Sequence, residues 1–374
     1  MKKIGILGGT FNPVHIEHKR LALSAIDELK LDKLIVMPTF ISPHKSLVPA
    51  PSVDRINMLK IAFADCSKVE VSDYEIIKQG TSYTYLTVEH FKGRKPCQLY
   101  FICGGDMLEN FKFWKFPERV LDSCTLACFE REDFFVDFDA ERRYFQEKFN
   151  KDFIKLSYKG KSLSSTKIRI YSAFNLPLEN LCEKAVEEYI KKNNLYGGDK
   201  FTDFIKTNLP LKRIKHTANV VITALEKAKQ LNLDSQKVFI SACLHDCAKY
   251  IDYKTVEGFT IGEDVPQPVI HAFLGAFIAE KYLGVTDQEI LDAIRFHTSG
   301  KANMSLLGKL IFVADMVEEG RDYQGVEQLR ELFYNGDFEF CFRECLREEV
   351  IHLMNKKQRI YIQTLNAFDY YNKN

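Results

Sequence analysis

Two patterns of hydrophobic and polar positions divide the chain. Up to about residue 196, short apolar runs alternate with stretches of helical periodicity, and these runs are KIGILGG, DKLIVMPT, VEVSDYEI, QLYFICGGD and TLACFER. Alternating strands and helices predict an α/β fold with a parallel sheet. From Phe201 onward the apolar positions recur with the period of a helix, as in HTANVVITALEKAKQL and QEILDAIRF. The second half is therefore predicted to be all-α.

The segment Gly197-Gly198-Asp199 separates the two patterns. Glycines stop helices and favour turns, so this segment is the predicted linker. Because 374 residues exceed what one hydrophobic core usually supports, two domains are expected. Their predicted bounds are 1–197 and 198–374.

Composition and charge exclude several classes of protein. The 46% hydrophobic and 28% charged residues are typical of a folded, soluble chain. With 52 basic and 51 acidic residues there is no net field to attract nucleic acid or an anionic membrane, so neither is an expected partner. The first residues lack the pattern of a signal peptide, and no apolar run reaches membrane-spanning length, which predicts a cytoplasmic protein. The sequence leaves a homo-oligomer open.

The first candidate site lies where the first strand ends. The turn Gly8-Gly9-Thr10-Phe11-Asn12-Pro13 follows the apolar run, and a helical pattern begins near His15. Open α/β sheets bind ligands at the carboxyl ends of their strands, and helix N-termini attract phosphate. Glycines allow the backbone close to a phosphate, and His15 and His18, one helical turn apart, can both face it. This pattern favours a nucleotide-phosphate site.

The segment GGTFNPVHIEH resembles the signature of the nicotinate mononucleotide adenylyltransferases, which belong to the HxGH nucleotidyltransferase superfamily. The resemblance covers roughly residues 2–197 and implies a Rossmann-like nucleotidyltransferase domain. Four further segments are similar to family motifs: Pro43-His44-Lys45, Thr81-Ser82-Tyr83-Thr84, Gly104-Gly105-Asp106 continuing to Trp114, and Ser164-Ser165-Thr166-Lys167-Ile168-Arg169. The motif's glycine between the histidines is Glu17 here, a departure that could crowd the phosphate side.

The resemblance implies transfer of AMP from ATP to nicotinate mononucleotide, a step of NAD biosynthesis, with Mg²⁺ accompanying the ATP phosphates. The mononucleotide phosphate would attack the α-phosphorus of ATP directly, so catalysis consists of positioning and charge stabilisation. The catalytic residues expected by resemblance are His15, His18, Lys45 and Arg169. The expected ATP-binding residues are Gly8, Gly9, Thr10, Phe11, Asp106, Ser164, Ser165 and Thr166. The expected nicotinate-binding residues are Thr81, Tyr83, Thr84 and Trp114. Nicotinamide mononucleotide and pantetheine phosphate are alternative acceptors.

The second candidate site consists of four histidines and two aspartates in the helical half. The histidines recur at intervals of 26 to 29 residues, at His216, His245, His271 and His297. The aspartates Asp246 and Asp315 each follow an apolar run. Imidazole and carboxylate together suit a divalent transition metal, and the helices of a bundle can bring distant ligands to one centre.

Residues 205–370 resemble the HD-domain phosphohydrolases, and local signatures such as His245-Asp246-Cys247-Ala248-Lys249 and His297-Thr298-Ser299-Gly300 are similar to the symmetrical diadenosine tetraphosphate hydrolases. That resemblance implies hydrolysis of diadenosine tetraphosphate to two ADP at two divalent metals, expected to be iron. The residues implied for the first metal are His216, His245, Asp246 and Asp315. His271 and His297 are implied for the second metal, Asp246 and Lys249 for catalysis, and Arg321 as a phosphate anchor.

Two other functions are compatible with the helical half. It could be a nucleotide-sensing module without turnover that controls the transferase, although a pure sensor need not keep six metal ligands. It could also process RNA, as other HD domains do. The near-zero net charge and the lack of a basic aromatic stripe weigh against that second alternative.

Overall fold

The computed structural model describes residues 1–41, 50–94, 96–132 and 134–373. The chain forms two compact units. The first comprises Met1–Arg169 and Pro177–Tyr196, and the second comprises Ile170–Leu176 and Gly197–Asn374. None of the helices in the described ranges combines the length and the apolar character that a bilayer crossing requires.

The first unit is built on a six-stranded sheet in which every neighbouring pair is parallel. The strands are β1 (Lys2–Gly9), β2 (Lys33–Pro38), β3 (Val69–Val71), β4 (Cys97–Gly104), β5 (Thr125–Arg131) and β6 (Ile154–Gly160). Their order is β3-β2-β1-β4-β5-β6. Strands β2 and β3 are added on one side of β1, and β4 to β6 are added on the other side, so the strand order reverses beside β1. Open sheets of this order bind ligands at the carboxyl ends of the strands near that reversal. The predicted α/β fold with a parallel sheet is confirmed.

Strand β1 lies at the centre of the sheet and of the core. Its Ile6 pairs with Ile35 on one side and with Phe101 on the other, and all three side chains are buried. Strands covered on both faces need near-continuous apolar runs, which explains the sequences GIL and LIVM. The parallel register brings the ends of β1 and β4 to the same edge, so Gly9 and Gly104 lie on neighbouring strands there.

The helices between and after these strands are α1 (Ile16–Leu29), α2 (Ser52–Ala62), α3 (Tyr74–Lys78), α4 (Thr84–Arg94), α5 (Gly105–Glu109), α6 (Pro117–Ser123), α7 (Phe138–Phe149), α8 (Ser165–Ala173) and α9 (Lys184–Lys192), with a 3₁₀ turn at Phe111–Phe113. From Ile170 onward, α8 belongs to the second unit. The prediction of a strand over VEVSDYEI is correct only for its first three residues. After Ser72 and Asp73 the chain enters α3, because the buried Glu75 turns inward to accept a hydrogen bond from Thr87 at 2.6 Å.

The second unit is helical, as predicted. Its helices are α10 (Lys200–Asn208), α11 (Leu211–Ala228), α12 (Ser235–Leu244), α13 (Gln267–Lys281), α14 (Gln288–Phe296), α15 (Leu306–Val317), α16 (Val326–Asn335), α17 (Phe338–Asn355) and α18 (Ile362–Lys373), with a 3₁₀ turn at Tyr253–Thr255. Four of them begin at an aspartate whose side chain accepts from backbone N–H groups of the first turn: Asp199, Asp234, Asp287 and Asp337. Such caps each contribute about 1 kcal/mol, so the start of each helix is set by its local sequence.

Replacing Gly5 by alanine is expected to destabilise the first unit by about 1–3 kcal/mol, because overpacking a filled core forces its neighbours to shift. The new Cβ would lie 2.6 Å from Cδ1 of Leu31 and 2.9 Å from Cδ1 of Leu34, both buried. Denaturant unfolding followed by the fluorescence of Trp114, the chain's one tryptophan, measures this unit. Gly93→Ala in α4 is the control, with no described atom within 4 Å of its Cβ and no expected loss of stability. Equal losses in both variants would contradict this account of the core.

Candidate active sites

The two histidines of the first site hold each other in place at the start of α1. His15 is the N-cap residue, and its Nδ1 accepts a hydrogen bond from the backbone N–H of His18 at 3.4 Å. In return His18 Nδ1 accepts from the backbone N–H of His15 at 3.1 Å, and the two rings stack with centroids 3.5 Å apart. A neutral imidazole that accepts at Nδ1 carries its proton on Nε2. Both Nε2–H groups are therefore suited to donate to phosphate oxygens.

Phe11 and Gly9 place the turn against these rings. Phe11 is buried and meets the His18 ring edge-on, with centroids 4.9 Å apart. A Cβ on Gly9 would lie 3.1 Å from the Phe11 ring, tighter than ordinary contact, so the glycine leaves room for the aromatic ring. The Gly-rich turn predicted from the sequence thus packs directly on the histidine pair.

Asn12 ties the turn to distant parts of the first unit. Its Oδ1 accepts from the Tyr196 hydroxyl at 2.8 Å and from the Ala50 backbone N–H at 3.0 Å. Its backbone carbonyl accepts from Nη1 of Arg169 at 2.7 Å. Three segments that are far apart in sequence therefore fix one residue of the turn.

Arg55 is fully buried next to the same turn. Its guanidinium donates to the carbonyls of Thr10, Thr39 and Ala50, at 3.0, 2.7 and 3.1 Å. Burial lowers the pKa of Arg55, but a guanidinium keeps its proton in proteins. The positive charge favours a polyanion at the turn, and the sequence analysis did not identify this residue.

The segment Ser164–Arg169 packs on the Gly-rich turn from the other side. Ser165 Oγ donates to the carbonyl of Pro13 at 2.8 Å, and Arg169 Nη2 donates to Thr166 Oγ1 at 3.0 Å. Ser164 Oγ accepts from the backbone of the following helix turn. Burial lowers the pKa of Arg169, which is held rigidly between Asn12 and Thr166. The structure thus brings together the predicted histidines and this predicted segment.

The predicted nicotinate-binding residues lie on adjoining segments of the first unit. Thr81 forms an isolated parallel bridge with the chain that follows β2, and Thr84 begins α4. The Nζ of Lys115 lies 4.5 Å from the centroid of the Tyr83 ring. Lys115 directly follows Trp114, which packs on the hydrophobic core. The contact of Lys115 with Tyr83 therefore brings the Tyr83 and Trp114 segments together.

Asp106 and Lys45 are two further predicted residues of the first site. Asp106 lies in the first turn of α5, directly after β4. A Cβ on Gly104 would lie 2.3 Å from Oδ1 of Asp106, so a larger residue at this position would displace the carboxylate. Lys45, in the predicted phosphate loop, lies outside the described residues.

The six predicted metal ligands meet in the second unit. They come from helices and helix ends: His216 in α11, His245 and Asp246 after α12, His271 in α13, His297 after α14 and Asp315 in α15. Three overlapping groups of three have their ligand atoms within 4.8 Å of one another, and these groups together contain all six residues. The bundle therefore assembles ligands that are up to 99 residues apart in sequence, counted from His216 to Asp315.

Asp246 lies between two pairs of histidines. Its Oδ2 is 3.7 Å from Nε2 of His245 and 3.8 Å from Nε2 of His216. Its Oδ1 is 3.0 Å from Nε2 of His271 and 3.4 Å from Nε2 of His297. Within the described part of the chain, this buried Oδ1 forms no contact of hydrogen-bond geometry. A buried carboxylate oxygen that faces imidazole nitrogens without a hydrogen bond fits a bound cation.

The histidine rings are oriented by their other nitrogen. The Nδ1 atoms of His245 and His297 lie 2.7 and 2.8 Å from the backbone carbonyl three residues earlier. His216 Nδ1 lies 3.1 Å from a carboxylate oxygen of Glu318. Because the carbonyl oxygens only accept, Nδ1 of His245 and of His297 carries the proton and the Nε2 lone pair faces the cluster, as a metal ligand requires. His216 lies between two carboxylates, with Nε2 3.0 Å from Oδ1 of Asp315, and these carboxylates raise its pKa against the effect of burial. Burial lowers the pKa of His245 to about 3, which keeps that ring neutral.

Three cationic side chains surround the cluster. Arg213 Nη1 donates to Oδ2 of Asp246 at 2.8 Å, and Arg321 pairs with Asp315. Lys249 Nζ lies 3.0 Å from Nε2 of His271. These cations can neutralise phosphate charge at the cluster. Lys249 and Arg321 were predicted from the sequence. Arg213 was missed, although it precedes His216 by one helical turn.

Glu318 was also missed by the sequence analysis. Besides His216, it accepts from Nδ2 of Asn219 at 2.8 Å, and Asn219 in turn accepts from the hydroxyl of Tyr171 at 3.0 Å. Hydrogen bonds from His216, from Asn219 and from one backbone N–H outweigh the effect of burial, which alone would raise the pKa of Glu318, and hold that pKa below its usual value. Spacing offers one signal for Glu318, which follows Asp315 by three residues. Nothing in the local sequence indicates Tyr171.

Comparison with known proteins identifies two families in the chain. Residues 6–170 match the Cytidylyltransferase-like family, and residues 213–320 match the HD domain family. A Mycoplasma genitalium protein named "Probable nicotinate-nucleotide adenylyltransferase/Ap4A hydrolase" is 31% identical over 86% of this chain and 88% of its own length. A Clostridium tetani protein named "Probable nicotinate-nucleotide adenylyltransferase" is 38% identical over 52% of this chain and 100% of its own length.

Solved structures also resemble parts of the chain, and one of them is a Clostridium acetobutylicum protein described as a predicted HD superfamily hydrolase involved in NAD metabolism. It is 33% identical to this chain, covers 47% of it and 96% of its own length, and gives a TM-score of 0.44.

Glu318→Ala is expected to weaken binding of divalent metal about 10- to 100-fold, because His216 loses the carboxylate that orients it. Competition against a chelating indicator on the full chain measures this affinity. Glu280→Ala, on the exposed face of α13, is the control and is expected to bind metal like the wild type. Unchanged affinity in Glu318→Ala would show that this carboxylate does not support the ligand.

Proposed function

The chain belongs to the family of the Mycoplasma nicotinate-nucleotide adenylyltransferase/Ap4A hydrolases, and from that membership we propose that it is a bifunctional nucleotide enzyme. Adenylyl transfer is assigned to residues 1–197, and hydrolysis of diadenosine tetraphosphate to residues 198–374. The observation that carries the proposal is the orientation of the site histidines. His15 and His18 are set to donate to phosphate, whereas His245 and His297 are set to bind metal.

In the first reaction, an oxygen of the mononucleotide phosphate forms a bond to the α-phosphorus of ATP. The bond from that phosphorus to the oxygen bridging to the β-phosphate breaks, and pyrophosphate leaves with its electron pair. His18 and His15 donate from Nε2 to the α- and β-phosphate oxygens, where negative charge builds up. Arg169 and Lys45 neutralise charge on the leaving pyrophosphate, and Mg²⁺ enters with ATP.

The acceptor is proposed to be nicotinate mononucleotide. Tyr83 and Trp114 present aromatic surface on adjoining segments, which suits a pyridine ring. Lys115, at the Tyr83 ring, supplies a positive charge that favours the carboxylate of nicotinate over the neutral amide of nicotinamide. We therefore expect nicotinate mononucleotide to be used in preference to nicotinamide mononucleotide.

In the second site, the six ligands would hold two divalent metals, proposed to be iron, which would supply an activated water and charge stabilisation for splitting the tetraphosphate into two ADP. The protein's own contribution is orientation and charge. The Nδ1 hydrogen bonds hold the histidine rings, and Arg213, Lys249 and Arg321 bind phosphate oxygens.

The experiment that tests this function offers purified full-length protein ATP with nicotinate mononucleotide, nicotinamide mononucleotide or phosphopantetheine, and separately offers diadenosine tetraphosphate with iron. Preferential formation of nicotinate adenine dinucleotide and release of two ADP are the expected results. Transfer to none of the acceptors would contradict the first assignment. Binding of the tetraphosphate without turnover would replace the second assignment with a nucleotide sensor.

Single substitutions are expected to separate the two activities. His18→Ala should lower kcat for adenylyl transfer about 10²- to 10³-fold, the effect of removing one donor to a developing charge, and leave hydrolysis intact. Asp246→Ala should abolish hydrolysis and metal binding and leave transfer intact, because its carboxylate is shared by both histidine pairs. Loss of both activities in either folded variant would contradict two separate sites.

A further inference from the structure

Glu17 occupies the position between the two site histidines where the HxGH motif has glycine. It lies in the first turn of α1, and its side chain is buried, with 6% of its surface exposed. A buried carboxylate is costly unless its oxygens are paired. The partners of this carboxylate therefore show what the substitution for glycine does.

Three donors satisfy the carboxylate, two at the end of β6 and one on α1 itself. Oε2 accepts from the Tyr158 hydroxyl at 2.7 Å and from the backbone N–H of Lys161 at 3.0 Å. Oε1 accepts from Nη1 of Arg20 at 2.6 Å. Burial alone would raise the pKa of Glu17, but these hydrogen bonds outweigh it and lower the pKa, so the group is ionised at neutral pH. The Glu17 side chain is thus hydrogen-bonded to the end of β6 and does not crowd the phosphate side.

The bond to Lys161 holds the beginning of a turn that leads to the proposed triphosphate-binding segment, Ser164–Arg169. Strand β6 ends at Gly160, and Lys161 is the first residue of that turn. Farther along, Ser165 is tied to Pro13 and Arg169 to Asn12. Glu17 is a side-chain tie at the beginning of this turn, where the carbonyl of Gly160 also accepts from the backbone N–H of Glu132 at 3.0 Å. A glycine at position 17 would offer no acceptor to the Lys161 N–H.

We infer that Glu17 is a positioning residue for ATP, which fixes the turn at Lys161 and so presents Ser164–Arg169 to the triphosphate. This inference rests on the proposed adenylyl transfer in the first unit. Tyr158 supports the same contact, since burial and the hydrogen bond to Glu17 raise the pKa of Tyr158 to about 12 and keep it a donor. Glu17 therefore adds a further connection between the first turn of α1 and the chain that leads to Ser164–Arg169.

Glu28 provides a matched control on the same helix. Its carboxylate accepts from the backbone N–H and the hydroxyl of Ser157, at 2.8 to 3.0 Å, and so links the far end of α1 to the middle of β6. Glu28→Ala removes a helix-to-strand link of the same kind at a distance from the turn. A purely structural role for Glu17 predicts that both variants affect ATP binding alike.

The test measures ATP affinity by calorimetry on the full chain and the KM for ATP and for the mononucleotide in the transfer assay. Glu17→Ala is expected to weaken ATP binding about tenfold, the effect of one lost hydrogen bond to a charged group, and to raise the KM for ATP but not for the mononucleotide. Glu17→Gln keeps one oxygen for Tyr158 and Lys161 and is expected to retain most of the affinity. Glu28→Ala is expected to bind ATP like the wild type.

Wild-type ATP affinity in Glu17→Ala, or equal weakening in Glu28→Ala, would overturn the positioning role. The unfolding midpoint from Trp114 fluorescence shows that each variant is folded. If the wild type bound ATP but transferred AMP to no acceptor, the proposed function would fail, while the affinities of these variants would still decide the role of Glu17.

Discussion

The hydrogen bond at Nδ1 determines what each site histidine can do. In the first unit, Nδ1 of His15 and of His18 accepts from a backbone N–H, which leaves the proton on Nε2. In the second unit, Nδ1 of His245 and of His297 faces a backbone carbonyl, which leaves a lone pair on Nε2. The same side chain is thereby prepared to donate to phosphate in one unit and to bind metal in the other.

The remainder of each unit maintains these orientations. In the first, the turn before His15 is fixed through Asn12, with Arg55 adding a buried positive charge beside it. In the second, Glu318 orients His216 and is itself held by Asn219. Catalysis by positioning and charge requires groups that do not reorganise during the reaction, which explains why so many polar side chains are buried near both sites.

The sequence allowed prediction of the fold class and of most candidate ligands, because these depend on local periodicity and on residue types at fixed spacing. Partners such as Glu318 were not predicted, since their role depends on how helices approach one another. Tyr171 shows this most clearly, because it reaches Asn219 from 48 residues earlier in the chain. The direction of the Glu17 side chain could not be predicted from the sequence either, because its partner Tyr158 lies 141 residues away.

The most direct test of this account is nitrogen-15 NMR of the histidine side chains in the metal-free full chain, at about pH 8, where histidines of ordinary pKa are neutral. The account predicts that His15 and His18 carry the proton on Nε2, and that His245 and His297 carry it on Nδ1. The opposite tautomer in either pair would contradict the assignment of that unit to phosphate or to metal.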